Sequence, residues 1–174
     1  MQRFRSIRAR TVRSRGLESN DRVTISVQAI EVQMASQLSG LPDEAEVLRW
    51  AGAVSRRLGT AGHEVCIRVV DGEEGQTLNR QYRGADKPTN VLSFAAEVDA
   101  PGLEVLGDIV ICAPVVLAEA AAQGKAVTDH FAHMVIHGMC HLHGYDHEHE
   151  EEAQIMESLE VELLAGFGIA DPYQ

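Results

Sequence analysis

Short runs in which apolar and polar residues alternate predict the β-strands of this chain. At 23–27, valine and isoleucine alternate with polar residues, so one face of a strand would be buried. The apolar run at 65–70 predicts a second strand. Two further runs, at 91–94 and 108–112, lie on either side of a turn region that contains proline and glycine, and they predict two more strands.

Apolar residues spaced three and four apart predict helices between these strands. The first helix would open at Asp43 and end at Gly59, and the second would be capped by Asp71 and run to about Tyr82. The polar loop RGADKPTN, at 83–90, follows the second helix. The inner face of the first helix is expected to comprise Val47, Leu48, Ala51, Val54 and Leu58.

Three more helices are predicted in the last third of the chain. Pro114 suits the first turn of a helix that Gly124 closes. Thr128 or Asp129 would cap the next helix, and Gly144 would end it in the left-handed conformation that glycine tolerates. A last helix is expected over about 148–165, and its inner face would comprise Ile155, Leu159, Leu163 and Leu164. The pattern therefore predicts an α/β or α+β fold, in which a small four-stranded sheet packs with about five helices.

Length and composition divide the chain into a tail and one domain. With 174 residues, 45% of them apolar, the chain is long enough for a single domain, which we assign to 23–174. The tail, 1–22, carries six arginines in its first fifteen residues and is expected to be disordered. Its Arg- and Ser-rich composition is also typical of a transit peptide, and a start codon assigned too early would give the same tail.

Charge, hydropathy and cysteine content limit the partners and the compartment. The net charge is −11, and without the first fifteen residues nine basic and 26 acidic residues leave −17. Such a body repels nucleic acid at long range, so an RNA-directed function needs a local basic patch, and no DNA partner is expected. No apolar run approaches the roughly 20 residues that span a bilayer, so no membrane partner is expected. Cys66, Cys112 and Cys140 form no CxxC pair, which favours the reducing cytoplasm.

Histidines are concentrated in HMVIHGMCHLHGYDH, at 133–147, which holds five of the eight in the chain. His137 and His141 are four residues apart, so both imidazoles project from one helix face and can share a zinc ion. Gly144 would break the helix and let the chain turn, which brings His147 beside the pair. Three imidazoles leave an open coordination position, the mark of a catalytic metal. We therefore predict one divalent metal ion per chain, preferably zinc, at the C-terminal end of this helix.

Neighbouring side chains are expected to support the three histidines rather than to join them. His133 would lie about 12 Å along the helix from His141, too far for one ion to bridge, so it is a candidate hydrogen-bond donor behind the ligands. Asp146 is a candidate acceptor for the N–H of a ligand imidazole, although an ordinary turn aspartate explains it equally well. We expect Cys140 to lie in the core and both His143 and His149 to be solvated.

Four stretches form a recognisable set of motifs. HGMCHLHGYDH, at 137–147, is similar to the signature HGxLHLxGYDH, and LNRQYRGADKPTNVLSF, at 78–94, resembles a second signature of the same family. GDIVIC at 107–112 and GIADPY at 168–173 agree as well. The chain thus resembles the YbeY family of bacterial rRNA-maturation factors over about 23–173. It departs from the family at three positions, Cys140, His143 and Ala95.

The resemblance implies a fold, an activity and a set of partners. It implies a metal-dependent hydrolase, a single-strand-specific endoribonuclease that acts in 16S rRNA 3′-end maturation and ribosome quality control. The metal-binding histidines of the family fall on the three selected above, and its functionally important arginine falls on Arg83, which would hold the scissile phosphate. Arg80 and Lys87 are candidates for RNA binding. The implied partners are single-stranded RNA, 16S rRNA and the ribosome or its proteins.

Two other functions are compatible with the same residues. A metal-dependent peptidase or other hydrolase would use the same histidines, but Gly138 stands where an HExxH peptidase carries its catalytic glutamate. A non-catalytic ribosome-assembly factor would bind rRNA or a ribosomal protein and use the metal mainly for structure, and its acidic body would suit a basic ribosomal protein better than naked RNA. For the nuclease, the attacking group is left open between a water molecule and the 2′-OH of the RNA.

Overall fold

The structure, a computed structural model, describes residues 29–96 and 104–174. Its strands are β1 (Ile30–Met34), β2 (Glu64–Val70), β3 (Val91–Ala95) and β4 (Val105–Cys112). Its helices are α1 (Glu44–Arg57), α2 (Gly72–Arg83), α3 (Ala113–Gln123), α4 (Val127–Leu142) and α5 (Glu150–Ala165). Within these residues, no helix has the length and apolar character needed to cross a membrane.

The four described strands form one mixed sheet in the order β1-β2-β4-β3. β1 pairs parallel to β2, and β2 pairs parallel to β4. β3 lies antiparallel to β4 at the other edge, with Leu92 opposite Val110. A four-stranded mixed sheet with five helices confirms the predicted α+β class.

Both faces of the sheet are covered, because apolar residues on β4 alternate between two separate clusters. Ile109 and Ile111 pack into the larger cluster with residues of α1, α4 and α5. Val110 and Cys112 point to the other face, where Leu78 of α2 packs against them. All four β4 side chains are at most 1% exposed. The larger cluster therefore fixes α4 against the sheet, and with it the histidines that α4 carries.

Local signals explain where the helices begin and end. Asp43 and Glu46 form a capping box at the start of α1, with side chain to backbone bonds of 2.8 and 3.1 Å. Gly124 and Gly144 follow α3 and α4 with φ values of 65° and 83°, as the sequence predicts. The residues predicted to cap the N-terminus of α4, Thr128 or Asp129, are wrong. α4 begins earlier, after Ala126, and Ala126 makes no side-chain cap bond.

Four other predictions need correction or lie outside the described residues. The strand predicted at 23–27 lies outside the described residues, and β1 was not predicted. Ile155 is 60% exposed rather than inward, because Met156, 1% exposed, takes the inner position on α5. Asp71 occupies the N-cap position of α2 but makes no side-chain cap bond, since its carboxylate accepts from the Ser36 hydroxyl. The tail assigned to 1–22 also lies outside the described residues.

Candidate metal centre

One face of α4 and the turn after it bring three imidazoles together. His137 and His141 lie one helical turn apart, and their Nε2 atoms are 3.1 Å from each other. Gly144, in the left-handed conformation, turns the chain back after the helix. The ring of His147 consequently lies 5.4 Å from that of His137 and 5.0 Å from that of His141, centroid to centroid. One nitrogen from each histidine lies within 4.8 Å of the others, so the group can hold a metal ion.

Hydrogen bonds on the far side of two rings fix which nitrogen carries the proton. The Nδ1 atom of His141 lies 2.9 Å from the carbonyl oxygen of Tyr145, and that of His137 lies 2.9 Å from a carboxylate oxygen of Glu160. Because both partners only accept, each Nδ1 donates and each neutral ring keeps its lone pair on Nε2. Two lone pairs that face each other at 3.1 Å repel unless a cation lies between them. The donor set therefore fits a metal ion.

The pKa of His141 agrees with a metal-binding role. Burial lowers this pKa most, and the neighbouring His137 and His147 lower it further. A lowered pKa favours the unprotonated ring, which is the form that binds a metal. Cys140, in contrast, has its pKa raised to about 12 by burial and by Glu160, so its thiol stays protonated in the core as predicted.

Glu160 of α5 is the hydrogen-bond acceptor behind the histidines. It is fully buried, and its carboxylate accepts from His137, from His133 at 3.2 Å and from the hydroxyl of Tyr173. Burial alone would raise its pKa, but these three hydrogen bonds outweigh burial and lower the pKa to about 2. His133, His137 and Glu160 also lie close enough to form a metal-binding group. However, the carboxylate already accepts from these three donors, so it orients His137 rather than binding an ion.

Two predicted roles near the histidines are corrected by these contacts. The Asp146 carboxylate accepts the backbone N–H of His147 at 2.7 Å, and no hydrogen bond from an imidazole reaches it within the described part of the chain. Glu160 and the Tyr145 carbonyl take the role expected of Asp146. His143 is half-buried rather than solvated, because Thr60 bonds to its Nε2 atom at 2.7 Å. His149 is exposed, as predicted.

Gly138 faces the sheet, and the close packing there explains why this position does not carry the glutamate of an HExxH peptidase. A Cβ at this position would lie 3.0 Å from Cγ2 of Ile109 and 3.2 Å from Oγ of Ser93. The Ser93 hydroxyl donates to the Gly138 carbonyl at 3.2 Å, so helix and strand are in close contact here. Any side chain at 138 would therefore press against Ile109 and Ser93 from its first carbon onward.

A cleft of about 490 Å³ joins the histidines to the predicted arginine. Arg83, the last residue of α2, lines the cleft together with the three histidines and Asp146. Its side chain is exposed, and it has no ion-pair partner among the described residues. The other two predicted RNA-binding residues, Arg80 and Lys87, do not line the cleft, and Arg80 lies 3.7 Å from the carboxylate of Asp86.

Sequence reasoning missed two residues beside the histidines, Glu160 and Tyr173, and a third, Asn90, at the edge of the cleft. Glu160 could have been noticed, because it is a charged residue beside Leu159 in the apolar stripe of α5. Asn90 is held by Glu119, which also bonds to the buried His130 at 2.8 Å. Asn90 lies in the second family signature and Tyr173 in GIADPY, but no spacing predicts that Asn90 meets Glu119 or that Tyr173 meets His133, since these contacts join distant parts of the chain.

The fold and the site define a class, an α+β domain with a histidine cluster that can hold a metal ion and an arginine on the same cleft. The family model described as "Endoribonuclease YbeY" matches residues 43–168. The chain belongs to this family and is an endoribonuclease, as the sequence motifs imply.

Similar proteins agree with this assignment. Endoribonuclease YbeY of Alkalilimnicola ehrlichii is 54% identical over 83% of this chain and 90% of its own length. The protein of the same name from Chromohalobacter salexigens is 53% identical over 83% of this chain and 94% of its own length. The solution structure of TM1509 from Thermotoga maritima has the same fold, with a TM-score of 0.54 and 23% identity, and covers 83% of this chain and 99% of that one.

Proposed function

We propose that this chain is a metal-dependent, single-strand-specific endoribonuclease that acts in 16S rRNA 3′-end maturation and ribosome quality control. The observation that carries the proposal is the shared cleft of about 490 Å³, which joins three converging imidazoles to an exposed arginine. We assign the activity to the cytoplasm, with the ribosome or its proteins as further partners.

In the proposed site, His137, His141 and His147 hold one divalent metal ion, preferably zinc. Three imidazoles suit zinc, although they bind several other transition metals as well. When bound, the metal polarises a phosphoryl oxygen and lowers the pKa of water. The Glu160 carboxylate and the Tyr145 carbonyl keep the protons of His137 and His141 on Nδ1, so that both Nε2 atoms remain free to bind.

Arg83 has a separate role in this proposal, the binding of the scissile phosphate. Its guanidinium can form two parallel hydrogen bonds to phosphate oxygens, and it can stabilise the charge that develops there during cleavage. Since the body of the protein is strongly acidic, a free arginine at the cleft also supplies local attraction for RNA.

The experiment that tests the proposal compares RNA with casein as substrates, with and without a chelator. We expect cleavage of single-stranded RNA that stops on chelation and returns with added zinc, and no cleavage of casein. Cleavage of casein, or failure of the metal-loaded protein to cut single-stranded RNA, would contradict it. Products that carry a 2′,3′-cyclic phosphate would identify the 2′-OH as the attacking group, whereas direct attack by water does not pass through that species.

An Arg83→Ala variant separates the enzyme from a non-catalytic assembly factor. Because Arg83 is exposed at the end of α2, we expect the variant to keep its fold, its metal and its association with ribosomes. Its rate of RNA cleavage should fall by about 10²- to 10³-fold. An unchanged rate of RNA cleavage would contradict the proposed role of Arg83 in binding the scissile phosphate.

A further inference from the structure

A second pocket adjoins the histidine cluster. It has a volume of about 270 Å³ and shares Asn90, Val91, His137 and His147 with the cleft that Arg83 lines. The two cavities therefore meet at the proposed metal ligands. A phosphate held by Arg83 beside the proposed metal ligands would direct one neighbouring nucleoside towards the second pocket.

The walls of the second pocket suit a flat, neutral, partly apolar group. Met134 and Met156 contribute apolar surface, and Tyr173 contributes an aromatic ring. Glu157 and Glu160 also line the pocket and make it unfavourable for a phosphate. A nucleobase is neutral and aromatic, so it is the part of an RNA strand that these walls accept.

Tyr173 is an aromatic side chain that is fixed in position and still exposed. Its hydroxyl donates to Glu160, and the edge-to-face contact with His133 has a centroid distance of 5.5 Å. The backbone beside it is held by Lys125, whose ammonium group donates to the Pro172 carbonyl at 2.9 Å. Nevertheless Tyr173 is 45% exposed. A ring that is already held in place offers a stacking surface without losing further conformational freedom on binding.

We propose that this pocket binds the base of one nucleotide next to the scissile phosphate, and that the base stacks on Tyr173. The inference rests on the proposed nuclease function and adds a subsite to it. A base in a duplex is stacked and paired, whereas an unpaired base can turn out of the strand and stack on an aromatic side chain. The pocket thereby supplies a physical reason for a preference for single-stranded RNA.

Two substitutions of Tyr173 separate stacking from the hydrogen bond to Glu160. Tyr173→Phe removes the hydroxyl but keeps the ring, and Tyr173→Leu removes both. Binding of a short 2′-O-methyl RNA, checked by electrophoresis to remain uncut during the measurement, is followed by fluorescence anisotropy with the metal-loaded protein. We expect about tenfold weaker binding for Tyr173→Leu and a change within about twofold for Tyr173→Phe. Ile155→Ala, an exposed apolar position on α5 outside both cavities, serves as the control and should bind as the wild type does.

Abasic substitution of the RNA tests the same contact from the other side. Removing the base on one of the two nucleotides that flank the scissile phosphate should weaken binding to the wild type by about tenfold. Removal of the same base should not weaken binding to Tyr173→Leu any further, because this variant already lacks the stacking contact. Equal binding of intact and abasic RNAs by the wild type, or equal weakening by the Phe and Leu variants, would overturn the proposal.

Cleavage of the intact RNA distinguishes this failure from failure of the nuclease function. If the wild type cuts RNA but does not distinguish intact from abasic substrates, the proposed base subsite is refuted and the proposed nuclease function stands. A metal-loaded protein that cuts no RNA would contradict the proposed function itself, and the subsite with it.

Discussion

At the scale of single residues, Glu160 is the side chain on which the geometry of the histidines depends. It is buried, ionised and bonded to His133, His137 and Tyr173, so it fixes the ring of His137 and the position of its proton. An acceptor behind a metal-binding imidazole raises the basicity of the ligand as well as orienting it.

The Glu160→Gln variant tests this role with little change in shape. A neutral amide accepts more weakly than a carboxylate and brings N–H groups that face other donors, so we expect metal affinity to fall by about 10- to 100-fold. Competition with a chromophoric chelator measures the change. Glu162→Gln is the matched control on the same helix, because Glu162 is exposed and pairs with Arg57 away from the site. Equal metal affinity in the two variants would contradict the role of Glu160.

Gly138 allows a second test at the residue scale, through Gly138→Ala and Gly138→Glu. The alanine Cβ would lie 3.0 Å from Ile109, and an overpacking cost of about 1–3 kcal/mol exceeds the roughly 1 kcal/mol that alanine gains over glycine in a helix, so we expect a net loss of up to about 2 kcal/mol in the free energy of unfolding. The glutamate should cost more, because its charge would face the buried sheet without a partner. Chemical denaturation measures both. A Gly138→Glu variant with wild-type stability, or one that cleaves casein, would refute the packing explanation for the absent peptidase base.

At the scale of elements, the turn after α4 determines where His147 lies. Gly144→Ala forces a residue with a Cβ into a φ of 83°, which should cost about 1–2 kcal/mol of stability and displace His147. Gly124→Ala is a matched control, since Gly124 follows α3 with a φ of 65° and has equally open surroundings. We expect similar losses of stability, measured by denaturation, but weaker metal binding only in the Gly144 variant. Weaker metal binding in both variants would mean that general destabilisation, rather than the position of His147, causes the effect.

The elements that sequence predicts well carry their signals locally. The capping box of α1 and the glycines after α3 and α4 act within a few residues, so their helix ends were predicted. Ile155 was assigned inward because spacings of three and four residues leave the phase of a short apolar stripe ambiguous, and only packing favours Met156. β1 was missed although it carries the same local signal, since Ile30, Val32 and Met34 alternate with polar residues as regularly as the residues at 23–27 do.

The same distinction applies to the site. His137, His141 and His147 lie within eleven residues, so helical spacing and one glycine were enough to predict that they converge. Glu160 and Tyr173 reach the histidines from a different helix and from the C-terminal segment. No local spacing encodes those contacts, and the role of orienting acceptor was therefore assigned to the nearby Asp146 instead.

At the scale of the whole molecule, the Arg-rich tail and the acidic domain are expected to be independent. Deleting residues 1–20 should leave both the melting temperature and the rate of RNA cleavage unchanged, because the family model matches only 43–168 and the site is built from residues within the described domain. Differential scanning fluorimetry and the RNA cleavage assay measure the two quantities. A loss of either would mean that the tail contributes to the fold or to substrate binding.

The central claim is that His137, His141 and His147 hold a metal ion that RNA cleavage requires, and a pair of alanine variants tests it most directly. Elemental analysis and RNA cleavage are measured on His141→Ala and His133→Ala beside the wild type. We predict about one metal ion per chain and activity in the wild type, loss of both in His141→Ala, and retention of the metal in His133→Ala. A His141→Ala variant that keeps its metal, together with a His133→Ala variant that loses it, would contradict the account.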